Sequence, residues 1–443
     1  MSTPRIVVVG GGFGGLEVCR ALARANRRGL IQLTLIDKEN FFQFNPLLPE
    51  VATGAIETRH IVYPLRKFCA PRGIRFFRNK VRSVDAGAKV LHLHNDLSIP
   101  YDELVIAAGS STNWFGVPGA EERSFPFKTL MDAIRLRAHV VEMWELADQA
   151  TSEAARRRLL TFVVAGGGIT GVELCAAFME MFQRTMARLY SNVPLSLVTV
   201  HLVEAGERLL GGLKPEHSEA AGAHLRRLGV SVVLHRRVSA VTEDRVELDD
   251  GTVIAAHTLI WTTGIRGAGL ESPWPWAVGR AERLSVDASG RVADGVWAMG
   301  DAADANDADG NRVPQTAQGA MQLGRVVAAN ILAKLGQGKP RVLQFRNYGY
   351  FVGLGRHSTV ASILGVPISG WLTWYLWAFI YLFKMVGIRK QLEVATDMVK
   401  GAFVDHDTSQ IHERRRMLRG SDMDPHLGRD GASATRAVPV LRE

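Results

Sequence analysis

The chain has 443 residues, 47% of them hydrophobic and 22% charged, with a net charge of +9 at neutral pH, which fits a globular protein of two or three domains. No basic run is interleaved with aromatics, so the charge reads as weak attraction to anionic membrane surfaces and not as a nucleic-acid groove. Three scattered cysteines (Cys19, Cys69 and Cys175) without a CxxC argue against a disulfide framework or a zinc site.

The first element is a strand-like run, Ile6-Val7-Val8-Val9. Starting so early, it leaves no room for a signal peptide and points to a reducing, cytoplasm-like compartment. It ends in Gly10-x-Gly12-x-x-Gly15, and a helix-like stretch follows. In such a turn the first glycine allows the sharp exit from the strand. The second lets the backbone approach a pyrophosphate, and the third lets helix and strand pack closely. The next strand, Leu33-Thr34-Leu35-Ile36-Asp37, ends in an acid 22 residues after Gly15, where a carboxylate can take a ribose hydroxyl. A third strand closes the unit at Gly109. The stretch Leu130 to Leu160, rich in Arg and Glu, is expected to be a surface helix leading out of it.

A second unit then repeats the first. Phe162-Val163-Val164-Ala165 leads into Gly166-x-Gly168-x-x-Gly171, 156 residues after the first turn. Its acid-ended strand finishes at Glu204, 33 residues after Gly171, and one long helix over 172–190 would account for the wide spacing. Its closing strand ends at Gly264, 155 residues after Gly109. Two such turns imply two dinucleotides and electron transfer between them. Glu204 would repel a 2′-phosphate and favours NADH over NADPH, with Arg208 nearby as the one contrary feature.

The chain then returns to the first unit through Val296-Trp297-Ala298-Met299 and Gly300-Asp301, and a helix is expected from Pro314. Gln318 and Gln322 would share one face of it, and neutral amides can hydrogen-bond both carbonyls and hydroxyls. From His357 to Phe383 there is no charged residue. The aromatic run Trp371 to Phe383 has 13 residues, too few to span a bilayer, which takes about 20. With Lys384, Arg389 and Lys390 after it, an interfacial helix fits best.

Five blocks together resemble the type II NADH dehydrogenases, single-subunit NADH:quinone oxidoreductases that do not pump protons. They are VVVGGGFGGLEVCRAL, PLLPEVATG at Pro46 to Gly54, VVAGGGITGVELC, VWAMGDAA and PQTAQGAMQLG. The resemblance covers roughly residues 5–400. It implies an α/β fold with two Rossmann-like dinucleotide-binding domains, a two-dinucleotide flavoprotein with a C-terminal amphipathic membrane-anchoring region. The domains would be 1–115 and 286–345 for FAD and 161–285 for NADH, joined by a helical segment at 116–160. The anchoring region would be 346–403, and 404–443 a disordered tail.

For non-covalent FAD the resemblance implies Gly10, Gly12, Gly14, Gly15, Asp37, Lys38, Ala52, Thr53, Val81, Gly109, Asp301, Ala317 and Gln318. For NADH it implies Gly166, Gly168, Ile169, Gly171, Glu173, Glu204 and Gly264. Glu173 would serve the hydride step, and Gln318 and Gln322 would meet the quinone, ubiquinone or menaquinone. No metal is expected. The protein would sit on the cytoplasmic face of the cell membrane, possibly as a homodimer. The alternatives are a sulfide:quinone oxidoreductase-like or other two-dinucleotide flavoprotein, and a non-respiratory flavoprotein redox sensor. The first of these needs a redox cysteine pair that the spacing here does not offer.

Overall fold

The computed structural model describes residues 3–356, 358–401 and 404–409. Two parallel sheets carry the two repeats. In the first, Arg5–Val9 lies between Gln32–Asp37 and Glu103–Ile106, with Val7 opposite both Thr34 and Leu104. In the second, Thr161–Ala165 lies between Thr199–Val203 and Thr258–Trp261, with Val163 opposite His201 and Leu259. Helices cover both faces of a parallel sheet, so its strands are continuous apolar runs rather than alternating ones. Ile6, Val7 and Val8 on one side, and Phe162, Val163 and Val164 on the other, are accordingly all buried.

The helices that position the site are α1 (Phe13–Arg27), α2 (Leu48–Ala52), α3 (Leu130–Gln149), α4 (Ile169–Met181) and α5 (Ala317–Lys334). Val296–Ala298 returns to the first sheet and pairs in parallel with Glu103–Ile106. Helix α5 then packs along α1, where a Cβ on Gly324 would lie 3.1 Å from the Gly14 carbonyl oxygen. Arg325 also donates to the buried carboxylate of Glu17 on α1 at 2.7 Å.

The long helix expected over 172–190 is present and unbroken to Leu189, with a wider π turn at Phe182–Met186 between α4 and Ala187–Leu189. Two expectations are corrected. The segment 130–160 is two helices, α3 and Glu153–Leu159, and α3 is not merely a surface helix. Its Leu136, Val140 and Trp144 are buried, with Trp144 against Phe182. Residues 404–409 are not loose either. Arg137 of α3 holds Asp407 at 2.8 Å, Arg188 pairs with Asp405, and the His406 N–H donates to the Thr185 hydroxyl at 3.3 Å. The rest of the expected tail, 410–443, lies outside the described residues.

The C-terminal part is an antiparallel sheet of Gly349–Gly353, Thr359–Ile363 and Val366–Ser369, followed by α6 (Trp371–Lys384) and α7 (Ile388–Lys400). Trp377 and Val394 turn inward, while Trp371, Leu372, Tyr375, Phe379, Phe383, Ile388, Leu392 and Val399 are exposed. Among the described residues no helix is long and apolar enough to cross a membrane.

Candidate active site

The two glycine turns are built alike. Gly10 has φ +104° and Gly166 φ +112°, conformations that favour glycine. A Cβ on Gly15 would lie 1.9 Å from the Gly10 carbonyl oxygen, and one on Gly171 equally close to that of Gly166. These contacts are the close strand–helix packing the motif demands. The middle glycines differ: beyond Gly12 and Gly168 there is open space within 4 Å. Each is the N-cap of its helix and offers no side-chain cap, so the first N–H groups of α1 and α4 remain available to an anion. The site therefore fits a pyrophosphate at both turns.

The two acids also match. Asp37 accepts from the Gly11 N–H at 2.5 Å and the Glu39 N–H at 2.7 Å. Glu204 accepts from the Gly167 N–H at 2.6 Å and the Gly206 N–H at 2.7 Å. Each carboxylate stands beside its turn, where a ribose would pass. Burial pushes the Asp37 carboxyl up, and the two backbone donors oppose that.

Asp301 lies in a short 3-10 turn after the returning strand. Its Oδ2 accepts from the Ser110 hydroxyl at 2.7 Å and from Lys128 Nζ at 3.3 Å. The motifs gave no signal for Ser110 or Lys128. Lys128 is fixed by the start of α3, where Thr129 and Asp132 form a capping box and Asp132 also accepts from the Lys128 N–H at 3.1 Å. Two residues before α5, the Nε2 of Gln315 is buried without a hydrogen-bond partner. That orphaned donor suits a polar ring edge.

Gln318 and Gln322 do lie on one face of α5, but their amides are occupied. Gln318 donates to the Gly349 carbonyl at 2.6 Å and accepts from the Tyr348 N–H at 3.2 Å. Gln322 donates to the Arg346 carbonyl at 2.8 Å and accepts from its N–H at 3.0 Å. Together they tie the chain entering the C-terminal sheet onto α5. Among the other expected contacts, Gly109 opens onto free space, while the Cβ position of Gly264 is filled by the Phe115 ring. Lys38 is exposed, and Ala52, Thr53 and Val81 are buried. The Thr53 hydroxyl donates to the Pro49 and Glu50 carbonyls, both at 3.2 Å, so it terminates α2.

Glu173 projects from the first turns of α4 and accepts from the Gly353 N–H at 2.9 Å. It lines a partly open cavity bounded by α2, α4, α6 and α7. Glu50 lines the same cavity, with its Oε2 buried and unpartnered. Burial and the Glu50 charge push Glu173 well above the ordinary carboxylate range, and burial brings Glu50 to about 7. The three cysteines are buried and free, and burial pushes each thiol up, Cys69 to about 11. None is a poised redox thiol.

A model of pyridine nucleotide-disulphide oxidoreductases matches residues 4–324, and a model of the NDH2 C-terminal domain matches residues 348–407. The chain belongs to the type II NADH dehydrogenase family. It is 29% identical over 409 residues to the type II NADH:quinone oxidoreductase Ndh of Mycobacterium tuberculosis, covering 88% of this chain and 86% of that one. It is 30% identical over 408 residues to the demethylphylloquinone reductase NdbB of Synechocystis, covering 88% and 94%. In fold it is similar to the Plasmodium falciparum NDH2 solved in complex with NADH. There the TM-score is 0.84 at 17% identity, over 92% of this chain and 100% of that one. The family's two-domain frame and its C-terminal module thus both have counterparts here.

Proposed function

We propose that the chain oxidises NADH and reduces a membrane quinone, with non-covalent FAD held at the first glycine turn. The observation that carries this is the pair of open, uncapped helix N-termini, each with a carboxylate beside it, on two sheets joined by one returning strand. When bound, FAD supplies the two-electron chemistry, taking hydride from the nicotinamide and passing electrons to the quinone. The N–H groups of α1 would hold its pyrophosphate and Asp37 its adenosine ribose. Lys128 and Ser110 hold Asp301 in place to receive the hydroxyls of the linking chain. The second turn and Glu204 would hold NADH in the same manner, with Glu173 toward the nicotinamide.

Gln318 and Gln322 serve the quinone half by fixing the segment 346–349 against α5. Each amide donates one N–H to a backbone carbonyl and keeps its second N–H for a quinone oxygen. The exposed apolar faces of α6 and α7 would rest on the lipid surface from which the quinone comes. Of the basic residues there, Arg389 is largely exposed, whereas Lys390 turns inward to Glu393 and the Arg59 carbonyl. NADH oxidation by the purified flavoprotein with a short-chain quinone tests the reading. NADH oxidation that proceeds with artificial acceptors but with no quinone would overturn it.

A further inference from the structure

Arg208 stands four residues after Glu204, a position from which an arginine can take a 2′-phosphate. Its guanidinium turns instead to its own loop. Nη1 donates to the Leu213 carbonyl at 3.0 Å and Nη2 to the Gly211 carbonyl at 2.9 Å. A planar fork on two carbonyls staples the segment 209–213 into one shape. That shape is strained: Leu210, only 2% exposed, sits at φ +52°, a conformation that favours glycine. Strain of this kind persists where surrounding contacts impose it, and it gathers at ligand clamps. The next two residues, Gly211 and Gly212, are exposed, with nothing within 4 Å of their Cβ positions.

The stapled loop grips the second glycine turn. The Leu210 N–H donates to the Gly167 carbonyl at 2.8 Å, and the Gly167 N–H donates to Glu204 at 2.6 Å. Leu209 fills the space beside Gly167, where a Cβ would lie 2.6 Å from its side chain. Both backbone groups of Gly167 are therefore fixed by the stretch 204–210, inside the turn that would meet a pyrophosphate. At its far end the loop is tied to the C-terminal sheet. Lys214 Nζ donates to the Gly365 carbonyl at 2.6 Å. The Tyr350 hydroxyl accepts from the Lys214 N–H at 3.4 Å and meets Nδ1 of the buried His217 at 2.6 Å. The loop is thus anchored at both ends, and Arg208 supplies the bonds across its middle.

We propose that Arg208 is a positioning residue for NADH. It holds the loop 209–213 so that Gly167 and Glu204 stay placed for the pyrophosphate and the ribose, and it is not a ligand for a 2′-phosphate. This rests on the NADH reading above. It leaves the choice between NADH and NADPH to Glu204 and gives Arg208 an equal part in holding either.

The test uses the full-length flavoprotein, with Arg208→Ala and Arg208→Lys as variants. Reduction of the flavin in rapid mixing yields an apparent Kd and a limiting rate for each nucleotide. In Arg208→Ala the Kd for NADH should rise at least about fivefold, and that for NADPH by the same factor to within about twofold. The limiting rate should stay within about twofold of wild type. Arg208→Lys keeps the charge without the fork, and should recover part of the loss for both nucleotides alike. With no nucleotide present, hydrogen exchange at the Leu210 amide should quicken at least about tenfold in Arg208→Ala. A loss confined to NADPH that lysine restores would make Arg208 a phosphate ligand and overturn the proposal. Unchanged Kd values for both nucleotides, or unchanged exchange at Leu210, would overturn it as well. If neither nucleotide reduces the wild-type flavin, the NADH reading itself fails, and the exchange at Leu210 still decides whether Arg208 holds the loop.

Discussion

Glu50 and Glu204 are both acids in the site, and their surroundings differ. Glu204 accepts from two backbone donors, whereas Glu50 has a bare oxygen inside a desolvated cavity. Burial raises Glu50 from 4.5 to about 7, so the folded chain keeps a proton that the unfolded chain gives up. Its stabilising contribution is complete below pH 4.5 and is lost as pH rises through about 7. Glu50→Gln should remove that slope, leaving the variant more stable than wild type at pH 8 by up to roughly 3 kcal/mol relative to the difference at pH 5. Thermal unfolding at the two pH values checks this, and a pH-independent difference would contradict it. At Glu204 the expectation concerns specificity. kcat/KM for NADH should exceed that for NADPH by about tenfold or more, equivalent to about 1.4 kcal/mol, and Glu204→Gln should narrow the gap. Equal values in the wild type would show that the carboxylate does not meet the ribose.

At the level of elements, α5 and α6 show how a sequence pattern can be right in position and incomplete in meaning. The spacing of Gln318 and Gln322 put both amides on one helical face. It could not show that the backbone of residues 346–349 already binds them. Each such bond contributes about 0.5–1.5 kcal/mol, so Gln318→Ala, which loses two, should loosen this tether measurably. We expect reoxidation of the flavin by quinone to slow several-fold in rapid mixing, with flavin reduction by NADH nearly unchanged. The opposite pattern would remove α5 from the quinone half. The aromatic run of α6 likewise read as interfacial, yet Trp377 points inward and α7 shares the exposed apolar face. Deleting everything after Gly365 would therefore strip Trp377 and Val394 from the core. Phe379→Asp with Leu392→Asp is the cleaner change, and should shift the protein from the membrane to the soluble fraction on sedimentation. Unaltered sedimentation would place the anchor elsewhere.

For the whole molecule, the two sheets are joined twice, by the outgoing segment through α3 and by the return at Val296–Ala298. The first glycine turn with Asp37 beside it predicts a dinucleotide flavin. Acid precipitation should release FAD, and release of FMN would contradict the role given to Asp37. The duplicated strand–turn–helix pattern, the paired acids, the return strand and the aromatic helix too short to cross a membrane were all legible in the sequence, because each rests on local periodicity or on glycine stereochemistry that neighbouring residues dictate. The Lys128–Ser110–Asp301 contact, the occupied amides of α5, the inward face of α3 and the packed 404–409 segment were not, because each joins residues far apart in the chain. Sequence by itself determined the two glycine turns and the acids that end the neighbouring strands. Only the tertiary structure decided that Glu50 and Glu173, 123 positions apart, share one desolvated cavity, since desolvation is a property of the surrounding volume and not of the chain.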